Sequence, residues 1–383
     1  MKIGILTFNW AINYGAILQM YALYRYLSKS NEVFIINYVP DYLANIYSTK
    51  IFVKPLKIKS MIRKALEKPI KYKQIQKFKE FINTSMLLTN KAKNREELTR
   101  IINALDVVVV GSDQVWNYDI TNDYLRDYLL NGINCNKISY AASIGKNQIK
   151  PDLVNLFRES LEDFDFISLR EGTAIYYLSE FCKGKDYKLC VDPVFLLNKE
   201  EWETVAKKSE YKLPAKEYIL VYMLENNLNL INIAKNLSRI YNLPVISVEI
   251  PFLRLKPEMR GIRKLHDVGP IDFIKLFLNS KWVLTNSFHG TAFSLIFNKE
   301  FVTFSHSTVN ERIDNLLKLY GVENNQIRDG GNVTVENIIK ILQENKYASI
   351  KQNHKILKLI EESKEYLMES IESIKNLKLE KGE

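Results

Sequence analysis

The sequence predicts an α/β protein built as two Rossmann-like domains facing a cleft, GT-B-like in layout, with a C-terminal helical extension. Three observations carry this. Over the first 195 residues, short β-branched runs alternate with helical patterns, which builds a parallel sheet covered by helices. The same alternation starts afresh after Leu197. A chain of 383 residues is also long enough for two cores, at roughly 100–200 residues per domain. The implied boundaries are 1–197 for the N-terminal domain, with a basic helical insertion at about 46–100, then 198–330 for the C-terminal domain. Residues 331–383 would form helices packing back on the body.

Lys2–Phe8 reads as a strand, Asn9–Gly15 as a polar loop, and Ala16–Ser28 as a helix, because its apolar residues recur at helical spacing. Glu32–Tyr38 is the next strand. The basic segment reads as helices and Arg95–Leu105 as a short one. Asp106–Val110 shows no alternation, as expected of a strand buried on both faces, and runs into Gly111-Ser112-Asp113. Lys137–Ala141 and Phe166–Leu169 repeat the strand pattern, the latter leading into Arg170-Glu171-Gly172 and a helix. Lys188–Val191 is a short strand before Asp192-Pro193. In the second half Tyr218–Leu224, Pro244–Ile250, Trp282–Thr285 and Phe301–Phe304 read as strands. Leu228–Tyr241, Pro270–Asn279, Thr291–Phe297 and Asn310–Tyr320 read as helices, and beyond Val333 a charged amphipathic helix or helix pair follows.

Composition narrows the class. With 46% hydrophobic and 26% charged residues the chain is globular rather than disordered. No apolar stretch approaches the roughly 18 residues of a spanning helix. Asn9, Asn13 and Gln19 interrupt the apolar N-terminus, which lacks a cleavage pattern and reads as strand, loop and helix in a cytoplasmic protein. Cys135, Cys182 and Cys190 have no metal-ligand spacing, and His266, His289, His306 and His354 are scattered, so no metal site is expected. The thiols fit a reducing compartment. The net charge of +10 is concentrated in Lys50–Lys79, which holds eleven basic residues and one acid, Glu67. A solvated amphipathic face and contact with an anionic membrane surface both explain it, the latter placing the protein peripherally at the inner face. Nucleic acid is not an expected partner, since no zinc-finger, homeodomain or RNA-recognition signature accompanies the charge.

Four strand-end loops could carry chemistry. Asn13-Tyr14-Gly15 precedes a helix, where backbone N–H groups favour anions. The three-glycine dinucleotide fingerprint is absent, so no nicotinamide or flavin cofactor is expected. Gly111–Asn117, with Ser112, Asp113 and Trp116, reads as a binding loop or as a Gly turn with an Asp cap. Arg170, at a strand's carboxyl end, could grip a carboxylate or phosphate with its planar fork, or pair with Glu171. In Thr285–Thr291, His289 suits proton transfer near neutrality, Gly290 would let a ligand approach, and the helix N-terminus would favour phosphate. His266, His306 and His354 lack such a setting. Arg312 is a further anion-binding candidate.

Taken together, these loops resemble the polysaccharide pyruvyl transferase family. The resemblance rests on Asn13-Tyr14-Gly15-Ala16, on GSDQVWN at 111–117, on Ala141-Ala142-Ser143-Ile144-Gly145 and on Ser168-Leu169-Arg170-Glu171. It continues through Asp192-Pro193-Val194-Phe195-Leu196-Leu197 with Trp202, and Ser287-Phe288-His289-Gly290-Thr291, across roughly residues 1–320. It implies a fold similar to GT-B glycosyltransferases. It also implies transfer of pyruvate from phosphoenolpyruvate to a sugar of a capsular polysaccharide or exopolysaccharide, or to its lipid-linked precursor, as a cyclic ketal. At matching positions it implies His289 as proton donor and Asp113 as base, two labels that could be exchanged. Arg170, Ser287, Gly290, Thr291 and Arg312 would surround phosphoenolpyruvate, a substrate rather than a cofactor. Asn13, Tyr14, Gly15, Ser112 and Trp116 would line the cleft on the acceptor side. Better-studied members tend to carry an Arg two residues before the motif His, where this chain has Ser287. Arg312 or a lysine of the basic segment would then replace that cation. Fold alone does not choose a function. A GT-B-type glycosyltransferase using a nucleotide sugar, and a non-catalytic carbohydrate-binding protein of envelope assembly, are the competing readings.

Overall fold

The computed structural model describes residues 1–40, 58–146, 148–248, 259–305, 310–328, 334–344 and 353–381. The first half comprises β1 (Lys2–Leu6), α1 (Tyr14–Leu27), β2 (Glu32–Ile35), α2 (Ile58–Ser85), α3 (Arg95–Ile102), β3 (Val107–Val110) and β4 (Lys137–Ala142). It continues with α4 (Val154–Glu162), β5 (Phe166–Leu169), α5 (Gly172–Phe181), β6 (Tyr187–Leu189) and α6 (Lys199–Ala206). The second half runs β7 (Ile219–Tyr222), α7 (Leu228–Tyr241), β8 (Val245–Val248), β9 (Arg263–Leu265), α8 (Pro270–Asn279), β10 (Trp282–Thr285) and α9 (Phe288–Ile296). It ends with β11 (Glu300–Phe304), α10 (Glu311–Tyr320), β12 (Gln326–Ile327), α11 (Val335–Glu344) and α12 (His354–Lys381).

The strands form two six-stranded sheets, ordered β2-β1-β3-β4-β5-β6 and β12-β11-β10-β7-β8-β9. Every pairing in both is parallel. Parallel sheets covered on both faces bury their central strands completely, and all four valines of β3 are indeed buried. In such sheets ligands bind beyond the carboxyl ends of the strands, where the strand order reverses. The reversals fall between β1 and β3 in the first sheet and between β7 and β10 in the second. The loops following those strands contain Asn13 and Asp113 on one side and Asn286 on the other, where α9 begins at Phe288, three residues before the helix start expected at Thr291, and takes in His289.

The two units share a core. One apolar cluster runs from Ile3 and Ile5 of β1 through α1 and α8 to Val283 and Phe301. Helix α1 is buried almost throughout, because both units pack on it. Tyr14 stacks on Phe273 of α8, with centroids 4.4 Å apart and 11° between planes. Its hydroxyl donates to the Val268 carbonyl at 2.9 Å and accepts from the Gln74 amide at 2.6 Å. Helix α2 reaches the second unit as well, where Lys77 pairs with Asp272 at 2.7 Å and Lys73 with Asp267 at 3.1 Å. Helix α12 returns to the first sheet. Its Tyr366 hydroxyl donates to Ser139 O at 3.0 Å, its Ser363 hydroxyl accepts from Val191 N–H at 3.0 Å, and Lys378 pairs with Asp106 at 2.6 Å.

Several details differ from the sequence reading. The expected strand over Glu32–Tyr38 stops at Ile35, after which Tyr38 keeps only an isolated bridge to Ala92. Strand β6, expected at Lys188–Val191, lies at Tyr187–Leu189, starting one residue and ending two residues earlier, and α4, α6, β9 and β12 carried no strand or helix expectation. Two of the three residues of β9 are cations, which suits an edge strand and hides it from a search for apolar runs. Residues 50–57 of the basic segment, His306 and the end of the expected strand at 249–250 lie outside the described residues. No helix among the described residues is long and apolar enough to cross a membrane.

Candidate active site

A cavity of about 380 Å³ opens where the two reversal points face each other. The first unit contributes Asn13, Asp113, Gln114 and Asn117 to its wall, and the second contributes Asn286, Phe288 and His289, with Arg312 of α10.

The local structure explains how each group is held. Asn13 caps α1, its side-chain oxygen accepting from the N–H groups of Gly15 and Ala16 at 2.9 and 3.3 Å. Asp113 sits at φ 72°, in the left-handed region where Asp is among the more tolerant residues, and its carboxylate accepts from Gln114 N–H at 2.8 Å. On the other side the Asn286 side chain accepts from Leu224 N–H and donates to Glu225 O, both at 2.9 Å. The Thr285 hydroxyl donates to Tyr222 O at 2.6 Å and accepts from Ser287 N–H at 3.0 Å. Ser287 caps α9 by accepting from Gly290 N–H at 3.3 Å. The loop is thereby fixed to β7, and His289 projects from the first turn of α9 with 7% of its surface exposed.

Beneath the cavity floor lies a buried cluster of charge. One oxygen of Asp192 stands 2.6 Å from Arg170 Nη1 and 3.4 Å from His289 Nε2, and the other accepts from Val194 N–H at 3.1 Å. Burial pushes the Asp192 carboxyl up, but His289, Arg170 and the Val194 N–H outweigh it and hold the group at about 2. Arg170 also lies 3.9 Å from Asp113 and 3.8 Å from Glu171. Burial works against its charge, yet Asp192, Glu171 and Asp113 prevail and raise its pKa. Burial raises that of Glu171, against the opposing pull of Arg170 and Arg312, while its carboxylate accepts from the Ser143 hydroxyl. Arg312 is shifted down by burial and by Arg170. Both guanidinium groups approach the Phe288 ring, at 5.1 and 5.9 Å from its centroid. Arg170 Nε and Nη2 and His289 Nε2 are buried and have no hydrogen-bond partner among the described residues. Natural structures rarely leave such donors unused, so they mark capacity for a ligand.

His289, Asp113, Arg312 and Asn13 therefore converge on one cavity, with Arg170 beside them. Arg170 and Arg312 also border an adjoining, largely apolar cavity of about 310 Å³. Gly15 lies against the imidazole, where a Cβ would stand 2.0 Å from His289 Nδ1. Six residues expected around the ligand instead face inward. Tyr14 is fully buried between the units. Ser112 donates to Ala141 O at 2.9 Å, and the Trp116 indole donates to Tyr128 O at 3.1 Å. Ser287 is committed to the α9 cap. The Thr291 hydroxyl donates to Ser287 O at 3.0 Å and lies 3.1 Å from that of Thr303. A Cβ on Gly290 would stand 2.2 Å from Thr285 Oγ1, so that glycine makes room for β10 rather than for a ligand. Asp192 and Glu171 were given no role at the site by sequence reasoning. Asp-Pro reads locally as a cap, and its contacts with Arg170 and His289 span 22 and 97 residues. Of the basic segment, Lys73 and Lys77 are engaged with Asp267 and Asp272, whereas Arg312 borders the cavity and is placed to replace the cation missing at Ser287. Among the described residues, no group of three His, Cys, Asp or Glu side chains is placed to hold a metal ion.

Two parallel α/β sheets with a cavity at their facing reversal points define a GT-B-like protein. The UDP-GlcNAc 2-epimerase of Neisseria meningitidis, solved bound to UDP-GlcNAc, superposes with a TM-score of 0.52 at 12% identity, covering 97% of this chain and 100% of that one. The UDP-N-acetylglucosamine 2-epimerase of Rickettsia bellii gives a TM-score of 0.52 at 12% identity, covering 98% and 97%. At such identities the likeness is one of fold. No curated protein matches the chain. The polysaccharide pyruvyl transferase family model matches residues 13–308, and the chain belongs to that family. Membership makes it a transferase of the kind that pyruvylates polysaccharides.

Proposed function

We propose that the protein transfers pyruvate from phosphoenolpyruvate to a pair of hydroxyls on one sugar of a surface polysaccharide, capsular or secreted, or of its lipid-linked precursor, closing a cyclic ketal. The observation that carries this reading is the pair of unbonded donors of Arg170, Nε and Nη2, buried beneath the cavity of His289 and Arg312 and tied through Asp192 to His289. It suits a small polyanion bearing both a carboxylate and a phosphate.

In this scheme His289 protonates the methylene carbon of phosphoenolpyruvate, which leaves C2 cationic. A sugar hydroxyl adds to C2 and gives its proton to Asp113. The C2–O bond to phosphate then breaks, and the second hydroxyl closes the ring, its proton leaving with the phosphate. Arg170 holds the carboxylate and Arg312 the phosphate, stabilising the charge that develops on the departing group. Phosphoenolpyruvate enters as a substrate, and no step calls on a cofactor.

The fold likeness to an epimerase solved with UDP-GlcNAc keeps a nucleotide-sugar transferase as the competing reading. Incubating the protein with phosphoenolpyruvate and a panel of free, synthetic and lipid-linked sugars separates the two. Phosphate release with a sugar that gains one pyruvate ketal, both lost in His289→Ala, is the expected result. Binding of nucleotide sugars without binding of phosphoenolpyruvate would overturn the reading. The charge of Lys50–Lys79 supports a cytoplasmic protein that docks peripherally on an anionic leaflet, at about 1 kcal/mol per lysine near the surface. Flotation with anionic vesicles tests this, and no binding at low salt would count against it.

A further inference from the structure

We infer that Asp192 is the positioning residue of the proton donor, and that Gly15 forms the opposite wall of a socket in which the first unit holds a histidine belonging to the second. This rests on His289 acting as the proton donor in the reaction proposed above.

His289 projects from α9, beside the second sheet, but its ring is gripped from the first. Asp192 follows β6, and Gly15 lies in the first turn of α1. The Nε2 edge of the ring meets Asp192 Oδ2 at 3.4 Å. The Nδ1 edge lies so close to Gly15 that a Cβ there would fall 2.0 Å from Nδ1, 2.4 Å from Cγ and 2.6 Å from Cε1. Asp192 is itself immobilised: its side chain is fully buried, Val194 N–H holds one oxygen, and Arg170 Nη1 holds the other at 2.6 Å. The ring is thereby bordered on both nitrogen edges by the first unit, and Nε2, which makes no hydrogen bond among the described residues, is the nitrogen left to hand over a proton. One carboxylate oxygen thus sets both the proton donor and the arginine assigned to the substrate carboxylate, fixing their separation. The other charged groups around the cavity are Asp113, Lys146, which pairs with Asp119 at 2.5 Å, and Arg312, and among the described residues no ion pair joins any of them to the ring.

The arrangement predicts a particular kinetic split. Asp192→Asn keeps the shape and the acceptor for Val194 N–H but removes the charge that anchors the ring. Because a misplacement of about 1 Å can cost about a hundredfold, kcat should fall about ten- to hundredfold. The KM for phosphoenolpyruvate should rise as well, since the same oxygen anchors Arg170, so the placement of the ring by itself is read from Gly15→Ala. Gly15→Ala alters no charge and displaces the ring from the other side, so it should lower kcat by at least about tenfold with KM for phosphoenolpyruvate within about twofold. A merely structural role would lower kcat and melting temperature and raise KM together. Steady-state kinetics on both variants, with circular dichroism and melting curves, decide the matter. If Asp192→Asn does not fold, Gly15→Ala decides alone. A folded variant with wild-type kcat, or a KM of Gly15→Ala that rises as its kcat falls, overturns the inference. His289→Ala runs in parallel: activity there refutes the reaction scheme itself, whereas an inactive His289→Ala beside unaffected positioning variants refutes the socket alone.

Discussion

Replacing Tyr14 by Phe tests whether this motif residue serves the cleft or the seam between the two units. The substitution keeps the ring and its 4.4 Å stack on Phe273 and removes one oxygen. That oxygen donates to Val268 O and accepts from the Gln74 amide, and burial pushes its phenol up, so it is a neutral hydroxyl at any working pH. Each hydrogen bond contributes about 0.5–1.5 kcal/mol net, and a buried group stripped of a partner costs about 1–3 kcal/mol. Losing both bonds places the destabilisation of Tyr14→Phe at about 1–3 kcal/mol. Denaturant unfolding followed by tryptophan fluorescence measures it as a lower midpoint at unchanged slope. The KM values for donor and acceptor should stay where they are, because the hydroxyl does not reach the cavity. A loss below about 0.5 kcal/mol, or a raised acceptor KM at unchanged stability, would refute the reasoning and return Tyr14 to the cleft.

Gly290→Ala should destabilise by about 1–3 kcal/mol through overpacking against Thr285, despite a helix-propensity gain of at most about 1 kcal/mol; a more stable variant would show that α9 can move away from β10. Arg170→Lys should raise the KM for phosphoenolpyruvate by about tenfold, since a point charge replaces a fork; an unchanged KM removes Arg170 from donor binding. Asp192 titrates at about 2 instead of 3.8, so its contribution to stability is present in full above about pH 4 and lost as pH falls through about 2. The stability gap between the wild type and Asp192→Asn should narrow across that window in acid-unfolding experiments, and a constant gap would contradict the assignment.

The architecture was legible because each central strand announces itself: Val107–Val110 can be little else than a strand buried on both faces, and Gly111 ends it. Placing Asp113 and His289 beyond strand ends followed from strand-end reasoning alone, although His289 stands in the first turn of α9 rather than in the loop before it. What could not be read was direction. Successive helical residues point about 100° apart, so within Asn13-Tyr14-Gly15 one side chain borders the cavity while the next plunges into the seam. The same geometry turns Gly290 and Thr291 away from the ligand although His289 precedes them. Asp192 escaped for a different reason: its meaning lies in contacts with Arg170 and His289 that no local pattern records.

Helix α12 lies beyond every strand of the second sheet in the chain, yet its partners at Ser139, Val191 and Asp106 are 227, 172 and 272 residues upstream. The ribosome therefore delivers all six strands of the first sheet long before the helix that closes over them exists. Until then the Val191 N–H and the surface that will receive Tyr366 have only water or a chaperone for company. The first unit, earliest to emerge, must be last to finish, and closing such distant contacts is slow. A chain cut before α12 should accordingly fail to yield a stable first unit, whereas supplying α12 as a separate peptide to that shortened chain should restore one.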